Sequence, residues 1–138
     1  MHEEISALLV QSQRSPNMAL KLALHGTGIR TDHVRGCAEA RQVLAQRPCH
    51  DVIFADAALP DGTWADVVSL AEACSRPLNV VVVSPELDVD LYIKVLEGGA
   101  FDFIVPPFMG ADLVHIVNCT AWKGLTQECP PTSGRAAA

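Results

Sequence analysis

Short apolar runs alternate with longer stretches in which apolar residues recur every three or four positions, and this alternation continues along most of the chain. The run ISALLV at residues 5–10 gives way to the polar, proline-containing QSQRSPN, which predicts a strand entering a loop. Residues 17–25 then predict a helix with Met18, Leu22 and His25 on one face, Asn17 as its N-cap and Gly26 as its stop. Residues 29–34 alternate as a second strand, and residues 38–46 present Val43 and Leu44 on a helical face that Pro48 ends. DVIFAD at 51–56 predicts a third strand running straight into the polar turn LPDG. From Trp64, the positions Val67, Val68, Leu70, Ala71 and Cys74 keep helical spacing until Arg76-Pro77. NVVVV at 79–83 is so uniformly β-branched that both faces must be covered, as in a central parallel strand. A helix beginning at Asp88 or Asp90 contains Leu91, Val95 and Leu96 and stops at Gly98-Gly99. FDFIV supplies strand five, Pro106-Pro107 ends it, and Leu113, Ile116 and Val117 mark a last helix over about 110–122. Five strand-helix units with short connections predict an α/β fold, an open parallel sheet covered on both faces.

Composition narrows the possibilities. The 138 residues, 49% of them hydrophobic, suffice for one domain, expected over residues 4–122, with 123–138 (ending GLTQECPPTSGRAAA) as a tail or linker stub. Sixteen acidic against 10 basic residues give a net charge of -6, which disfavours direct contact with nucleic acid or an anionic membrane. Apolar runs fall far short of the roughly 20 residues that cross a bilayer. The acids in MHEEISALLV are unlike a signal peptide, so a cytoplasmic location is expected. The cysteines at 37, 49, 74, 119 and 129 are odd in number and lack CxxC spacing, which predicts reduced packing residues.

A sheet of this kind places its site beyond the C-terminal strand ends, here Gln11, Asp56, Ser84 and Pro106. Those ends, read as VIFADAALPDG, VVVVSP and GGAFDFIVPPF, together resemble the receiver domain of two-component response regulators, the CheY-like family, over about residues 4–122. The resemblance implies a flavodoxin-like, doubly wound five-stranded sheet of order 2-1-3-4-5. It implies Asp56 as the phosphoacceptor position, Ser84 as the hydroxyl that contacts the phosphoryl group and Phe103 as the aromatic that reports on it. It also implies a cis peptide before Pro107, and a partner surface made by helix 4, strand 5 and helix 5, where Tyr92, Lys94, Asp102, Phe108 and Trp122 are candidate contacts and a homodimer is one use.

Two departures matter. Where the family has two acids after strand one, this chain has Gln11 and Ser12; where the family has a lysine before the proline, it has Pro106, without an amine or even an N–H. Removing two anionic ligands weakens a hard-cation site, so Mg2+ binding is expected to be weak and no cofactor is required. Asp61 is explained locally as a turn former. The expected function is therefore a signalling receiver, not an enzyme, governed by contact with a signalling protein or histidine kinase rather than by metal-dependent aspartyl phosphorylation. The alternatives are a phosphorylatable receiver that uses Asp56 in a modified pocket, and a flavin-binding module of related fold. Enzyme readings lack their motifs: the histidines are dispersed without HExxH, Ser84 lies outside GxSxG, and neither GxGxxG nor the P-loop occurs.

Overall fold

The computed structural model describes residues 5–46, 50–74 and 77–121. The chain runs β1 (Ser6–Val10), α1 (Met18–Leu24), β2 (Arg30–Val34), α2 (Cys37–Gln46), β3 (Val52–Asp56), β4 (Ala58–Leu59), β5 (Gly62–Thr63), α3 (Trp64–Glu72), β6 (Asn79–Val83), α4 (Val89–Glu97), β7 (Asp102–Ile104) and α5 (Gly110–Ala121). The main sheet has the order β2-β1-β3-β6-β7 and all its pairings are parallel. That is the 2-1-3-4-5 order of a flavodoxin-like sheet, once β4 and β5 are set aside as a separate antiparallel pair.

Period-two alternation divides the sheet into two cores. Leu8, Val10, Ile53, Ala55, Val80, Val82 and Phe103 face Ala40 and Leu44 of α2, Val67, Val68 and Ala71 of α3, and Val95 of α4. Ala7, Leu9, Val52, Phe54, Val81, Val83 and Ile104 face Leu20 and Leu24 of α1 and Leu113, Ile116 and Val117 of α5. Because helices cover both faces, β1, β3 and β6 have no position at which a solvent-facing polar residue would be favoured. Each fully buried large apolar side chain contributes about 1.5–3 kcal/mol of burial.

Several expectations need correction. In α1 the buried residues are Leu20 and Leu24, whereas Met18 and Leu22 are 42% and 76% exposed, so the predicted face is the wrong one. MALKLAL is apolar nearly all the way round, and its own periodicity leaves the helix phase open. The LPDG turn is the tip of the β4–β5 pair, in which Ala58 opposes Thr63 and Leu59 opposes Gly62. Helix α3 ends at Glu72, stopped earlier than expected. Its start is secured by a capping box: Ala65 N donates to Thr63 Oγ1 at 3.2 Å and Thr63 N donates to Asp66 Oδ2 at 2.9 Å. Cys37 and Cys74 are free thiols, but Cys119 is disulfide-bonded, against the expectation of uniformly reduced cysteines. The proposed tail at 123–138 lies outside the described residues.

Candidate functional site

The parallel sheet brings Val10, Asp56 and Val83 to one edge, since Val10 pairs with Ala55 and Asp56 with Val83. Beyond that edge the chain must turn, and the turns supply the polar groups. Gln11 N donates to the Val34 carbonyl at 3.0 Å, Ala57 N to the Val83 carbonyl at 3.0 Å, and Ser84 N to the Ile104 carbonyl at 3.0 Å. The strand ends are thus locked to their neighbours, and Gln11, Asp56 and Ser84 are all buried.

Asp56 is only 2% exposed. Asn17 Nδ2 donates to Asp56 Oδ1 at 2.8 Å and to the Val83 carbonyl at 3.3 Å. Burial raises the carboxyl above its ordinary 3.8, opposed by hydrogen bonding from Asn17, by the nearby Ser15 hydroxyl and Ser12 N–H, and by the charge of His33. His33 itself sits over the edge, its Nε2 2.9 Å from the Gln11 carbonyl. The loop between β1 and α1 is knit to this site: Gln11 Nε2 donates to the Asn17 carbonyl at 3.0 Å, Asn17 N to Ser15 Oγ at 2.9 Å and Ser15 N to the Ser12 carbonyl at 3.2 Å.

Sequence reasoning treated Asn17 as a helix cap and missed it as a partner of Asp56. The two are 39 residues apart, and no local pattern joins them. Ser84 stands at the site, but its Oγ donates to the Glu86 carbonyl at 2.8 Å. Phe103 is fully buried, its ring 5.7 Å from that of Tyr92 in an edge-on arrangement with an interplanar angle of 70°. Ser12 is half-buried beside Gln11, Pro106 is exposed, and the Pro106–Pro107 peptide is cis. Asp61 belongs elsewhere: its carboxylate accepts from Cys37 N at 2.8 Å and Ala38 N at 3.0 Å, capping α2 across the fold, which holds its carboxyl below the usual range. The approach is so close that a Cβ on Gly36 would lie 2.6 Å from Asp61 Oδ1. Asp61 therefore stands in its turn as expected, and its carboxylate is committed to α2 and away from Asp56.

Three buried side-chain oxygens in this region, Gln11 Oε1, Asn17 Oδ1 and Asp56 Oδ2, have no hydrogen-bond partner. Among these donors only Asp56 carries charge, and the described residues contain no group of three or more His, Cys, Asp or Glu suited to a metal ion. A donor set with one negative charge does not fit a hard divalent cation, which needs charge compensation as well as oxygen ligands.

The family model for the response regulator receiver domain matches residues 7–118. The chain belongs to the response regulator receiver family. It is 31% identical over 101 residues to the response regulator protein PilR of Pseudomonas aeruginosa, covering 73% of this chain but 22% of PilR. It is also 26% identical over 83 residues to the DNA-binding transcriptional regulator NtrC of Azospirillum brasilense, covering 60% of this chain and 16% of that protein. This receiver therefore spans about a fifth of the length of such relatives. Among solved structures, a response regulator receiver protein from Pseudomonas putida superposes with a TM-score of 0.70 at 26% identity, covering 86% of this chain and 98% of that one. The beryllofluoride-activated NtrC4 receiver domain dimer gives 0.72 at 22% identity, covering 86% and 97%, and supports the fold. Members of this family are signalling modules, not free-standing catalysts, and membership displaces the flavin-binding reading. No helix among the described residues is long and apolar enough to cross a membrane.

Proposed function

We propose that this receiver uses Asp56 as a phosphoacceptor in a pocket of reduced charge, taking its input from a histidine kinase or another phosphodonor protein and passing it on through protein contacts. The observation that carries the proposal is the placement of Asp56 at the end of central strand β3, between the ends of β1 and β6, in a chain whose relatives are response regulators. In the reaction a carboxylate oxygen of Asp56 attacks phosphorus, the bond from phosphorus to the donor's leaving group breaks, and that group departs with the electron pair. With Gln11 and Ser12 neutral and Pro106 offering neither an amine nor an N–H, none of these positions supplies a charged partner for the transferred group, so transfer is expected to be slow.

Support for the α4–β7–α5 face as the contact surface comes from exposed apolar side chains on α4, Val89 and Ile93 at 60% and 47%, and in the loops that lead into α4 and α5, Leu87 and Met109 at 43% and 55%. Lys94 is also exposed and Phe108 is partly so, whereas Asp102 is fully buried and drops out, and Trp122 lies outside the described residues. Self-association through this face is one use, testable by light scattering of the wild type against Ile93→Asp.

A second reading, contact-driven signalling without phosphorylation, is favoured by the single negative charge of the donor set and by the burial of Asp56. Intact mass after incubation with acetyl phosphate, with and without magnesium, separates the two. One added phosphoryl group, absent from Asp56→Asn, is expected. An unchanged mass, together with equal partner capture by wild type and Asp56→Asn, would favour the second reading.

A further inference from the structure

Asn17 stands at the N-cap of α1, where an asparagine side chain ordinarily accepts a hydrogen bond from a first-turn N–H. It makes no such bond. Its backbone, at φ −104° and ψ 27°, is outside the extended conformation of a capping residue, and its carboxamide is turned into the Asp56 pocket. The contrast within the same chain is direct. Thr63 and Asp88 have extended backbones and accept from Ala65 N and Leu91 N, capping α3 and α4. Asn17 Oδ1, the atom that would cap α1, is instead buried without a partner, while Nδ2 is held by Asp56 Oδ1 and the Val83 carbonyl.

One side chain thus has two mutually exclusive jobs. We propose that Asn17 is a two-position switch: it binds Asp56 while the carboxylate is free, and turns back to cap α1 when Asp56 Oδ1 is occupied or lost. Helix α1 is suited to respond, because its first turn contains no acidic residue and therefore lacks a substitute for the missing cap. The loop would move with the switch, since the Asn17 carbonyl also accepts from Gln11 Nε2 and from Leu20 N, each at 3.0 Å. Met18 and Leu22, exposed on α1, would carry the change to the surface. This path is separate from Ser84 and Phe103, whose groups are engaged with Glu86 and Tyr92. It goes beyond the phosphoacceptor reading and stands without it, because anything that frees Asn17 from Oδ1 operates the switch.

Amide hydrogen exchange of the full chain, read by NMR at Ala19 in the first turn of α1, tests the idea. Asp56→Ala should slow Ala19 exchange about five-fold, the effect of a gained N-cap, and the double variant Asn17→Ala/Asp56→Ala should lose that protection. Asn17→Ala alone should stay within about two-fold of wild type, since there is no cap to remove. Asn17→Ser leaves Asp56 in place while supplying a cap too short to reach it, and should give the same roughly five-fold slowing. Unchanged exchange in Asn17→Ser, or protection by Asp56→Ala that persists in the double variant, would overturn the switch. None of these measurements uses a phosphodonor, so a failure of acetyl phosphate to label Asp56 would defeat the phosphoacceptor reading and leave this one standing.

Discussion

Phe103 offers a quantitative test of how the site is connected to the core. The residue lies on β7 opposite Val82, is fully buried, and meets the Tyr92 ring edge-on at 5.7 Å. Replacing it with leucine removes the aromatic pair, worth about 0.5–1.5 kcal/mol, and roughly one methylene's worth of burial, about 0.8 kcal/mol. The expected loss is therefore about 2 kcal/mol. Phe103→Ala also leaves a cavity between β7, β6 and α4 and should lose about 3–5 kcal/mol. Urea unfolding followed by far-UV circular dichroism gives both values, provided that m stays constant across the series. A double-mutant cycle with Tyr92→Leu isolates the ring pair and should return a coupling of about 0.5–1.5 kcal/mol. If Phe103→Ala lost less than about 1 kcal/mol at unchanged m, the ring would not be core in solution and the reasoning would fail. The same numbers bear on signalling: any event at Asp56 that turned this ring outward would have to supply free energy of that order.

Three further outcomes follow from the geometry. Thr63→Ala breaks the capping box of α3 and should lower stability by about 1 kcal/mol in the same urea assay, while Thr63→Ser keeps most of it. A Cβ on Gly98 would sit 2.7 Å from the Trp64 indole, so Gly98→Ala should cost about 1–3 kcal/mol through displacement of that ring, and the cost should shrink in a Trp64→Leu background. For Asp56, burial holds the folded carboxyl above 3.8, so the unfolded chain loses its proton at the lower pH. Its contribution to stability is then full below pH 3.8 and declines as pH rises through the folded value. Stability of wild type relative to Asp56→Asn, measured against pH, should fall across that window and level off above it; a rise would contradict the burial argument.

Much of this protein was legible in the linear pattern because strand and helix periods are local properties. NVVVV announced a strand covered on both faces, and five strand-helix alternations implied strand ends that gather Gln11, Asp56 and Ser84, whereas Pro106 stands exposed beyond β7. The same local signals narrowed the start of α4 to Asp88 or Asp90 and found its glycine stop, and the fold selects Asp88 as the cap. They failed where two answers were locally equivalent. In MALKLAL, Met18 with Leu22 and Leu20 with Leu24 have identical spacing, and only packing against Leu9 and Phe54 selects the second pair. Asp102 looked available for surface contacts within FDFIV, yet its position on β7 buries it completely.

By itself, then, the sequence determined the class of fold, the order of its elements and which residue types stand at the strand ends, because these depend on backbone period and chain connectivity. The tertiary structure decided how the polar groups at those ends are used. Asn17 turns from its helix to a carboxylate 39 residues away, Asp61 reaches from its own turn to cap α2, and Ser84 bonds forward to the Glu86 carbonyl. A hydrogen-bonding side chain takes whichever partner the folded chain brings within about 3 Å, and for these residues that choice is made only after the sheet has formed.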